Sequence, residues 1–282
     1  MLGKIGNPDH GEGIRIIHRA LDGGINFIDT ADGYSRGESE QIVGKALAGG
    51  RRDNVVLATK FHGTMGEDPN EAGNSRRWIF REIEASLKRL QTDWIDLYQL
   101  HTPDSLVPIA ETLGALDDLV TAGKVREVGC SNFTLEQLAE ADAVRTPHGV
   151  RFASVQNEFS MIERDQAPVV AACAEQGRAF LPYYPLANGM LTGKYRIGRK
   201  PPAGTRITGG GRYAPILNDR NLALVERVAE FAEHRGAGVL DAAFAWLLSH
   251  EAVASVIAGA TKPHQVAANA AASEWVLSGE ER

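Results

Sequence analysis

The sequence predicts an α/β fold of the TIM barrel type. Short apolar runs alternate with amphipathic helical segments along the chain, which indicates parallel strands joined by right-handed crossovers. The chain has 282 residues, and one such barrel typically needs about 250. Polar side chains directly follow several of the apolar runs, as expected where an active site forms at the carboxyl ends of barrel strands.

Composition favours one enzyme-sized domain over residues 1–282. Hydrophobic residues make up 43% of the chain, enough to bury a sizeable core. The net charge of −6 argues against a general affinity for nucleic acid or anionic membranes, so small substrates are expected. Cys130 and Cys173 do not suggest a disulfide framework, which favours a reduced, cytoplasmic setting. No long apolar stretch or leader is visible, so we expect a soluble chain.

Helices are predicted where apolar residues recur with a helical period, as at Ile14, Ile17 and Leu21. Strands are predicted where short apolar runs end in polar or turn residues. The expected helices are 11–21, 38–47, 75–90, 108–121, 134–144, 166–175, two within 221–249, and one from Pro263. The seven expected strands are 25–29, 55–60, 94–101, 125–130, 152–156, 179–183 and 254–258.

The longest irregular stretch runs from Gly193 to Pro215 and contains several prolines and a run of three glycines. A loop of this length in a compact domain is usually functional or disordered. Two interpretations remain open: a lid over the active site, or a solvated insertion.

Four polar residues are placed so that they can meet. Asp29, Lys60 and His101 close three strand-like runs, and Tyr34 follows Asp29 by five residues. Alone, an aspartate after a strand is usually a turn former and a histidine is usually structural. Together they suggest proton donation by a tyrosine. A lysine ammonium favours the phenolate form and so makes a nearby phenol a stronger acid, which suits carbonyl reduction.

The same residues carry a resemblance to a known family. The segments 24–34, 37–40, 58–60 and 96–101, read in order and with their spacing, resemble the aldo-keto reductases. That family folds as a (β/α)8 barrel and uses an Asp, Tyr, Lys and His tetrad with NADPH, or less often NADH. The resemblance implies these four roles for Asp29, Tyr34, Lys60 and His101.

The resemblance also implies a set of cofactor-binding residues. Ser131, Asn132 and Gln156 match residues that hold the nicotinamide carboxamide, and Tyr183 matches the aromatic residue stacked on its ring. Without the family pattern, a helix N-cap is the favoured interpretation of Ser131 and Asn132, and a core aromatic that of Tyr183. Tyr184 stands where the family commonly has serine near the phosphates, and Leu186 follows in the same segment.

The segment 257–265 resembles the family's adenosine-phosphate loop before the last helix. Gly259 and Lys262 lie in it, and the lysine charge suits a 2′-phosphate. Gln265 stands where many NADP-preferring members have arginine, which glutamine does not replace without loss. Asn269 matches an adenine contact. We therefore expect NADPH as cofactor, with NADH possible.

Competing motifs fail. The segment Gly189-Met190-Leu191-Thr192-Gly193-Lys194-Tyr195 has one residue too few for a Walker phosphate loop and ends in tyrosine. No Gly-x-Gly-x-x-Gly follows a strand, so a Rossmann site is unsupported. The histidines show no metal-ligand spacing, so no metal is expected.

The largest departure from the family is at the N-terminus. Members usually place a first strand before the helix expected at 11–21, and the residues ahead of it here, 1–7, leave no room for that strand. The chain also ends early, where the family often adds a helix. Either the chain is a fragment or misassigned at its start, or its barrel is open.

The sequence thus predicts an NADPH-dependent oxidoreductase that reversibly reduces aldehydes or ketones, with a small carbonyl substrate. An alternative of another class is a cofactor-binding regulatory or redox-sensing module with little turnover. The complete tetrad favours the enzyme, and the missing strand favours the module. Neither the substrate nor the oligomeric state follows from the sequence.

Overall fold

The computed structural model describes residues 2–4 and 6–282. The helices are α1 (His10–Asp22), α2 (Glu38–Leu47), α3 (Arg76–Leu90), α4 (Ile109–Thr121), α5 (Leu135–Val144), α6 (Ala167–Glu175), α7 (Asp219–Glu233), α8 (Val239–Leu248) and α9 (Pro263–Ala272). The strands are β1 (Phe27–Asp29), β2 (Val56–Phe61), β3 (Ile95–Leu100), β4 (Val125–Ser131), β5 (Ser154–Gln156) and β6 (Ala179–Phe180).

The chain divides into two compact units. The first comprises the described residues up to Gln156 together with Ala260–Val266, and the second comprises Asn157–Gly259 with Ala267–Arg282. The first unit has the strand and helix alternation that the sequence predicts.

The first unit contains a parallel sheet in the order β1-β2-β3-β4-β5. Its register pairs Asp29 with Ala58, Lys60 with Gln99, and Ser131 with Gln156. Because the strands are parallel, their carboxyl ends share one edge of the sheet. The polar residues that close the strands are therefore neighbours.

Three helices of the first unit, α1, α3 and α5, begin at side-chain caps that the sequence contains. The Ser75 hydroxyl accepts a hydrogen bond from the Trp78 N–H before α3, and Thr134 forms a capping box with Gln137 before α5. The inner strands are buried on both faces, as β2 shows from Leu57 to Phe61. This burial fixes the position of the strand ends.

The second unit contains α6, β6, α7 and α8, and its apolar cluster is formed by α7, α8 and buried residues between Ala187 and Ile207. The predicted loop 193–215 belongs to this cluster, since Tyr195 and Ile207 are each only 1% exposed. The Tyr195 hydroxyl also donates to Thr205 Oγ1 at 2.7 Å. These two side chains anchor the loop while most of its residues are exposed, so both interpretations of the loop stay predictions.

The strand count differs from the prediction of seven. The segment expected as the last strand, 254–258, is reduced to isolated bridges, in which Val253 pairs with Phe180 and Ile257 pairs with Tyr183. Between these two pairs, Pro182 has no N–H to donate to a continuous ladder. The same proline explains why β6 ends at Phe180 instead of Tyr183.

The N-terminal prediction concerns residues 1–7, of which Met1 and Ile5 lie outside the described residues. Leu2 pairs with Asn7 in an isolated bridge. Within the first unit, β1 pairs with β2 alone, and Phe27 and Ile28 are only partly buried.

Candidate active site

An ion pair between Asp29 and Lys60 forms the base of the site. Lys60 Nζ donates to Asp29 Oδ2 at 2.5 Å and to the Thr30 carbonyl oxygen at 2.9 Å. The Lys60 side chain is completely buried, and that of Asp29 is 7% exposed. A charge that is buried this deeply requires a partner of opposite charge. Asp29 and Lys60 are such partners for each other.

Lys60 remains protonated despite its burial. Burial by itself lowers the pKa of a lysine, but the Asp29 carboxylate and then the Tyr34 side chain outweigh burial here and raise the Lys60 pKa. The site therefore holds a cation. Its Nζ lies 5.2 Å from the centroid of the Tyr34 ring.

Tyr34 is held in a tight turn between β1 and α2. The three residues after it, Ser35, Arg36 and Gly37, all have positive φ angles, between 52° and 83°. Ser35 and Arg36 accept a conformation that L-residues rarely adopt, and such conformations are concentrated at functional sites. The turn directs the Tyr34 ring to Lys60 and to His101, whose ring centroid is 5.5 Å away in an edge-on arrangement.

His101 follows the end of β3 and is neutral at physiological pH. Burial, followed by the charge of Lys60, lowers the pKa of His101 to about 4. A neutral imidazole carries one N–H and one free lone pair. The ring can therefore donate a hydrogen bond to a substrate oxygen without adding a charge.

Two glutamines hold the carboxylate of Asp29 from the side opposite Lys60. Gln156 Nε2 donates to Asp29 Oδ1 at 3.0 Å, and Gln99 Nε2 donates to the same oxygen at 3.2 Å. Gln99 received no role from the sequence. One sequence feature could have identified Gln99: it is a polar residue inside the apolar run of β3. It lies two positions before His101, and therefore on the same face of the strand.

The three residues expected to hold the carboxamide lie together. Ser131 Oγ donates to the Gln156 carbonyl oxygen at 2.6 Å, and Asn132 Nδ2 donates to Ser131 Oγ and, at 2.9 Å, to the His101 carbonyl oxygen. Asn132 itself has a positive φ of 63°. These bonds orient the three side chains beside the tetrad.

The segment before α9 is organised by Gln265. Its Oε1 accepts from the Thr261 N–H at 2.7 Å and from the Lys262 N–H at 3.1 Å. The expectation of free backbone amides for a phosphate is therefore wrong at these two positions, because a side chain already binds them. Lys262 is exposed, as is Gly259, while Asn269 is buried in the second unit.

Tyr183 and Tyr184 lie in the second unit with their rings 5.1 Å apart and nearly perpendicular. Tyr184 has a positive φ of 52°, and its hydroxyl lies 3.4 Å from that of Tyr213. Burial, followed by the hydrogen bond with Tyr213, raises the pKa of Tyr184 to about 12. Leu186 packs against the apolar cluster of the second unit.

Two arginines lie over the Tyr213 ring and a lysine lies near one of them; we call Lys194, Arg206 and Arg212 the basic cluster. The guanidinium carbons of Arg206 and Arg212 lie 5.5 and 4.7 Å from the centroid of the Tyr213 ring. Burial and the neighbouring Arg206 lower the pKa of Lys194. Within residues 2–4 and 6–282 none of the three is bonded to a carboxylate, so the donor set fits an anion such as a dinucleotide pyrophosphate.

No local pattern in the sequence indicates the basic cluster. Lys194 lies in the segment that fails as a Walker motif, and the two arginines lie in the long loop. Folding of the loop brings both arginines over Tyr213, whose hydroxyl lies 3.4 Å from that of Tyr184, and local patterns do not reveal this long-range contact.

No metal site or membrane-spanning helix is found in the part of the chain that the structure describes. No group of three or more potential ligands is placed to hold a metal ion there. No helix within those residues is long and apolar enough to cross a membrane.

Comparison with known proteins places the chain in a family. The model of the aldo/keto reductase family matches residues 3–282. The aldo-keto reductase YhdN of Bacillus subtilis (strain 168) is 36% identical over 280 residues, which cover 98% of this chain and 83% of that protein.

Two solved structures are similar over nearly the whole chain. A glycerol dehydrogenase from Gluconobacter oxydans has a TM-score of 0.84 at 34% identity, with 98% of this chain and 84% of that chain covered. An aldo/keto reductase from Klebsiella pneumoniae, solved in complex with NADP and acetate, has a TM-score of 0.77 at 30% identity, with 96% of this chain and 83% of that chain covered.

The chain belongs to the aldo-keto reductase family. It is therefore an NAD(P)H-dependent oxidoreductase with a TIM-type fold, as the sequence predicts.

Proposed function

We propose that the protein reduces small aldehydes or ketones to alcohols with NADPH, and that the reaction is reversible. The observation that carries the proposal is the cluster of Asp29, Lys60, Tyr34 and His101 at the carboxyl ends of β1, β2 and β3, around the buried Lys60. Bound NADPH supplies the hydride. The four side chains then have one task, which is to deliver a proton to the carbonyl oxygen as negative charge develops there.

Each side chain has a distinct part in that proton transfer. Tyr34 donates its hydroxyl proton to the carbonyl oxygen. Lys60 stabilises the phenolate that remains, because its ammonium lies against the Tyr34 ring and keeps its charge. Asp29 fixes Lys60 through the 2.5 Å ion pair.

His101 orients the substrate in this proposal. Because its pKa is lowered to about 4, the ring is neutral and offers one N–H to the carbonyl oxygen beside Tyr34. A protonated imidazole at this place would compete with Tyr34 as the acid and would be repelled by Lys60. Neutrality therefore leaves proton donation to Tyr34.

The binding of NADPH is assigned to residues of both units. In the first unit, Ser131, Asn132 and Gln156 are the proposed partners of the nicotinamide carboxamide. In the second unit, Tyr183 supplies a ring for stacking, and the basic cluster supplies charges for the pyrophosphate. Lys262 is the proposed partner of the 2′-phosphate.

The test is oxidation of NADPH with a panel of aldehydes and ketones, followed by identification of the product alcohol. The proposal predicts carbonyl-dependent oxidation of NADPH with one alcohol formed per NADPH consumed. Binding of NADPH without turnover of any carbonyl in the panel would instead support a regulatory or redox-sensing module.

A further inference from the structure

A second aspartate, Asp32, lies between Asp29 and Tyr34 in the turn that follows β1. Asp32 is three residues after Asp29 and two before Tyr34, and it is completely buried. Its carboxylate oxygens accept hydrogen bonds from two backbone amides: Gly33 N–H, and Gly63 N–H at 3.1 Å. Gly63 follows β2, three residues after Lys60. Asp32 thus joins the turn that carries Tyr34 to the segment that follows Lys60.

The two segments approach so closely that only glycine fits. A Cβ atom added to Gly63 would lie 2.8 Å from Asp32 Oδ1 and 2.9 Å from the Gly33 Cα. Side-chain atoms do not approach backbone this closely, so Gly63 leaves the space that the Asp32 carboxylate and the turn require.

The Asp32 backbone is anchored as well. Its N–H donates to the Lys60 carbonyl oxygen at 2.9 Å, and its own carbonyl oxygen accepts from the Gly37 N–H at 2.7 Å. The first bond attaches the turn to the end of β2, and the second closes the turn around Tyr34. The side chain and the backbone of Asp32 therefore act on the same two segments.

The charged groups that face Asp32 are mostly acidic. Glu82 of α3 and Glu40 of α2 act on it, and Arg89 of α3 is ion-paired to both of these glutamates. The buried Tyr98 hydroxyl of β3 also faces these groups. Burial, followed by the charge of Glu82, raises the pKa of Asp32 to about 7.

We propose that Asp32 is a positioning residue for carbonyl reduction, which acts by holding the Tyr34 turn against the segment after Lys60. The inference rests on the proposed function, because it concerns the placement of the proton donor. A carboxylate accepts both amide hydrogen bonds strongly, whereas a protonated carboxyl accepts them more weakly. The turnover number should therefore rise with pH through about 7.

Asp32→Asn is the first test, because it keeps the size of the side chain and removes the charge. The asparagine amide keeps one oxygen, which can accept a hydrogen bond from one of the two glycine N–H groups. Its NH2 group replaces the other carboxylate oxygen and is a donor, so the second glycine N–H loses its acceptor. We expect kcat to fall about tenfold to 10²-fold, the Kd for NADPH to stay within about twofold, and the rise of kcat near pH 7 to disappear. The control is Asp118→Asn, on the exposed face of α4. It should leave kcat, the Kd for NADPH and the rise of kcat near pH 7 unchanged.

Gly63→Ala tests the contact between the Tyr34 turn and the segment after Lys60. It changes the segment after Lys60 and removes no charge. The added methyl group pushes the two segments apart, so kcat should fall while the inflection near pH 7 remains. A third measurement needs no variant. In the 15N-glycine-labelled wild type without cofactor, the amide signals of Gly33 and Gly63 should titrate together with a midpoint near pH 7.

The inference is overturned if Asp32→Asn keeps the wild-type kcat and pH profile, or, should that variant not fold, if the two glycine amides do not titrate together. Its failure is distinct from that of the proposed function. If only the positioning role of Asp32 is wrong, the wild type still reduces carbonyls and Tyr34→Phe still does not. If the proposed function is wrong, the wild type reduces no carbonyl, and the positioning role of Asp32 is then wrong as well.

Discussion

At the scale of single residues, the site depends on one buried cation. Lys60 has no exposed surface and is held by Asp29 and by the Thr30 carbonyl oxygen. Asp29 in turn is shared by Lys60, Gln99 and Gln156. Removing one member of such a set leaves the others buried without their partner, so catalysis and stability are coupled at this position.

Lys60→Met should therefore damage both properties. The substitution leaves the Asp29 carboxylate without its counter-ion, which should lower the free energy of unfolding by about 3–5 kcal/mol. It also removes the charge that stabilises the Tyr34 phenolate, so carbonyl reduction should be lost. Urea unfolding and steady-state kinetics measure the two effects.

The matched control is Lys45→Met on the exposed face of α2. A surface lysine should change the free energy of unfolding by less than about 0.5 kcal/mol. Equal stability of the Lys60 and Lys45 variants would show that the ion pair with Asp29 does not contribute as described.

At the scale of elements, the α9 N-terminus combines two features that act on a phosphate in opposite ways. Gln265 occupies the amides of Thr261 and Lys262. Lys262 extends an exposed, positively charged side chain from the same turn. Recognition of a 2′-phosphate at this turn therefore depends on the side-chain charge more than on these backbone amides.

Lys262→Ala should weaken NADPH binding much more than NADH binding. An exposed lysine–phosphate contact is worth about 1–2 kcal/mol, close to tenfold in the ratio of the two dissociation constants. Fluorescence titration with both cofactors measures that ratio. Lys88→Ala on α3 removes an exposed charge elsewhere and is the control. An equal loss for both cofactors in the Lys262 variant would place the 2′-phosphate elsewhere.

The elements also show how far the sequence predicts the structure. Polar residues at the ends of buried runs identified Asp29, Lys60 and His101, because in parallel sheets those ends share one edge. Gln99 was missed, since a single glutamine inside an apolar strand has no local pattern. The contraction of the last strand to two bridges depends on pairing with residues 180–183, which lie over 70 positions earlier.

The basic cluster was missed for a similar reason. Its members are scattered between positions 194 and 212, and the contacts of both arginines with Tyr213 bring them together. Buried Ile207 holds that loop in place, although its proline and glycine content suggested a disordered or solvated segment. Composition indicates a turn-rich backbone and does not indicate whether one apolar side chain anchors it.

At the scale of the whole molecule, two buried groups make stability depend on pH in opposite directions. Asp32 has its pKa raised from 3.8 to about 7, so its contribution is fully present below pH 3.8 and is lost as the pH rises through 7. His101 has its pKa lowered from 6.5 to about 4, so its contribution is present above pH 6.5 and is lost as the pH falls through 4. Between pH 4 and 6.5 the two effects oppose each other.

Single variants should separate these two effects. The Asp32→Asn variant keeps only the pH effect of His101. As the pH increases from 4 to 6.5, its Tm should therefore rise more steeply than that of the wild type. In His101→Asn only the Asp32 effect remains, so over the same range Tm should fall relative to the wild type. Thermal melts at half-unit pH intervals measure both slopes. Unchanged slopes in both variants would contradict the assigned protonation states.

The central claim is that Tyr34 delivers the proton to the substrate oxygen, and the turnover of Tyr34→Phe tests it most directly. The substitution removes one hydroxyl and keeps the ring beside Lys60 and His101. Since the hydroxyl is needed only when charge develops on the carbonyl oxygen, kcat for 4-nitrobenzaldehyde should fall by about 10² or more. The Kd for NADPH, measured by fluorescence, should stay nearly unchanged. A Tyr34→Phe variant that reduces the aldehyde at the wild-type rate would contradict the account.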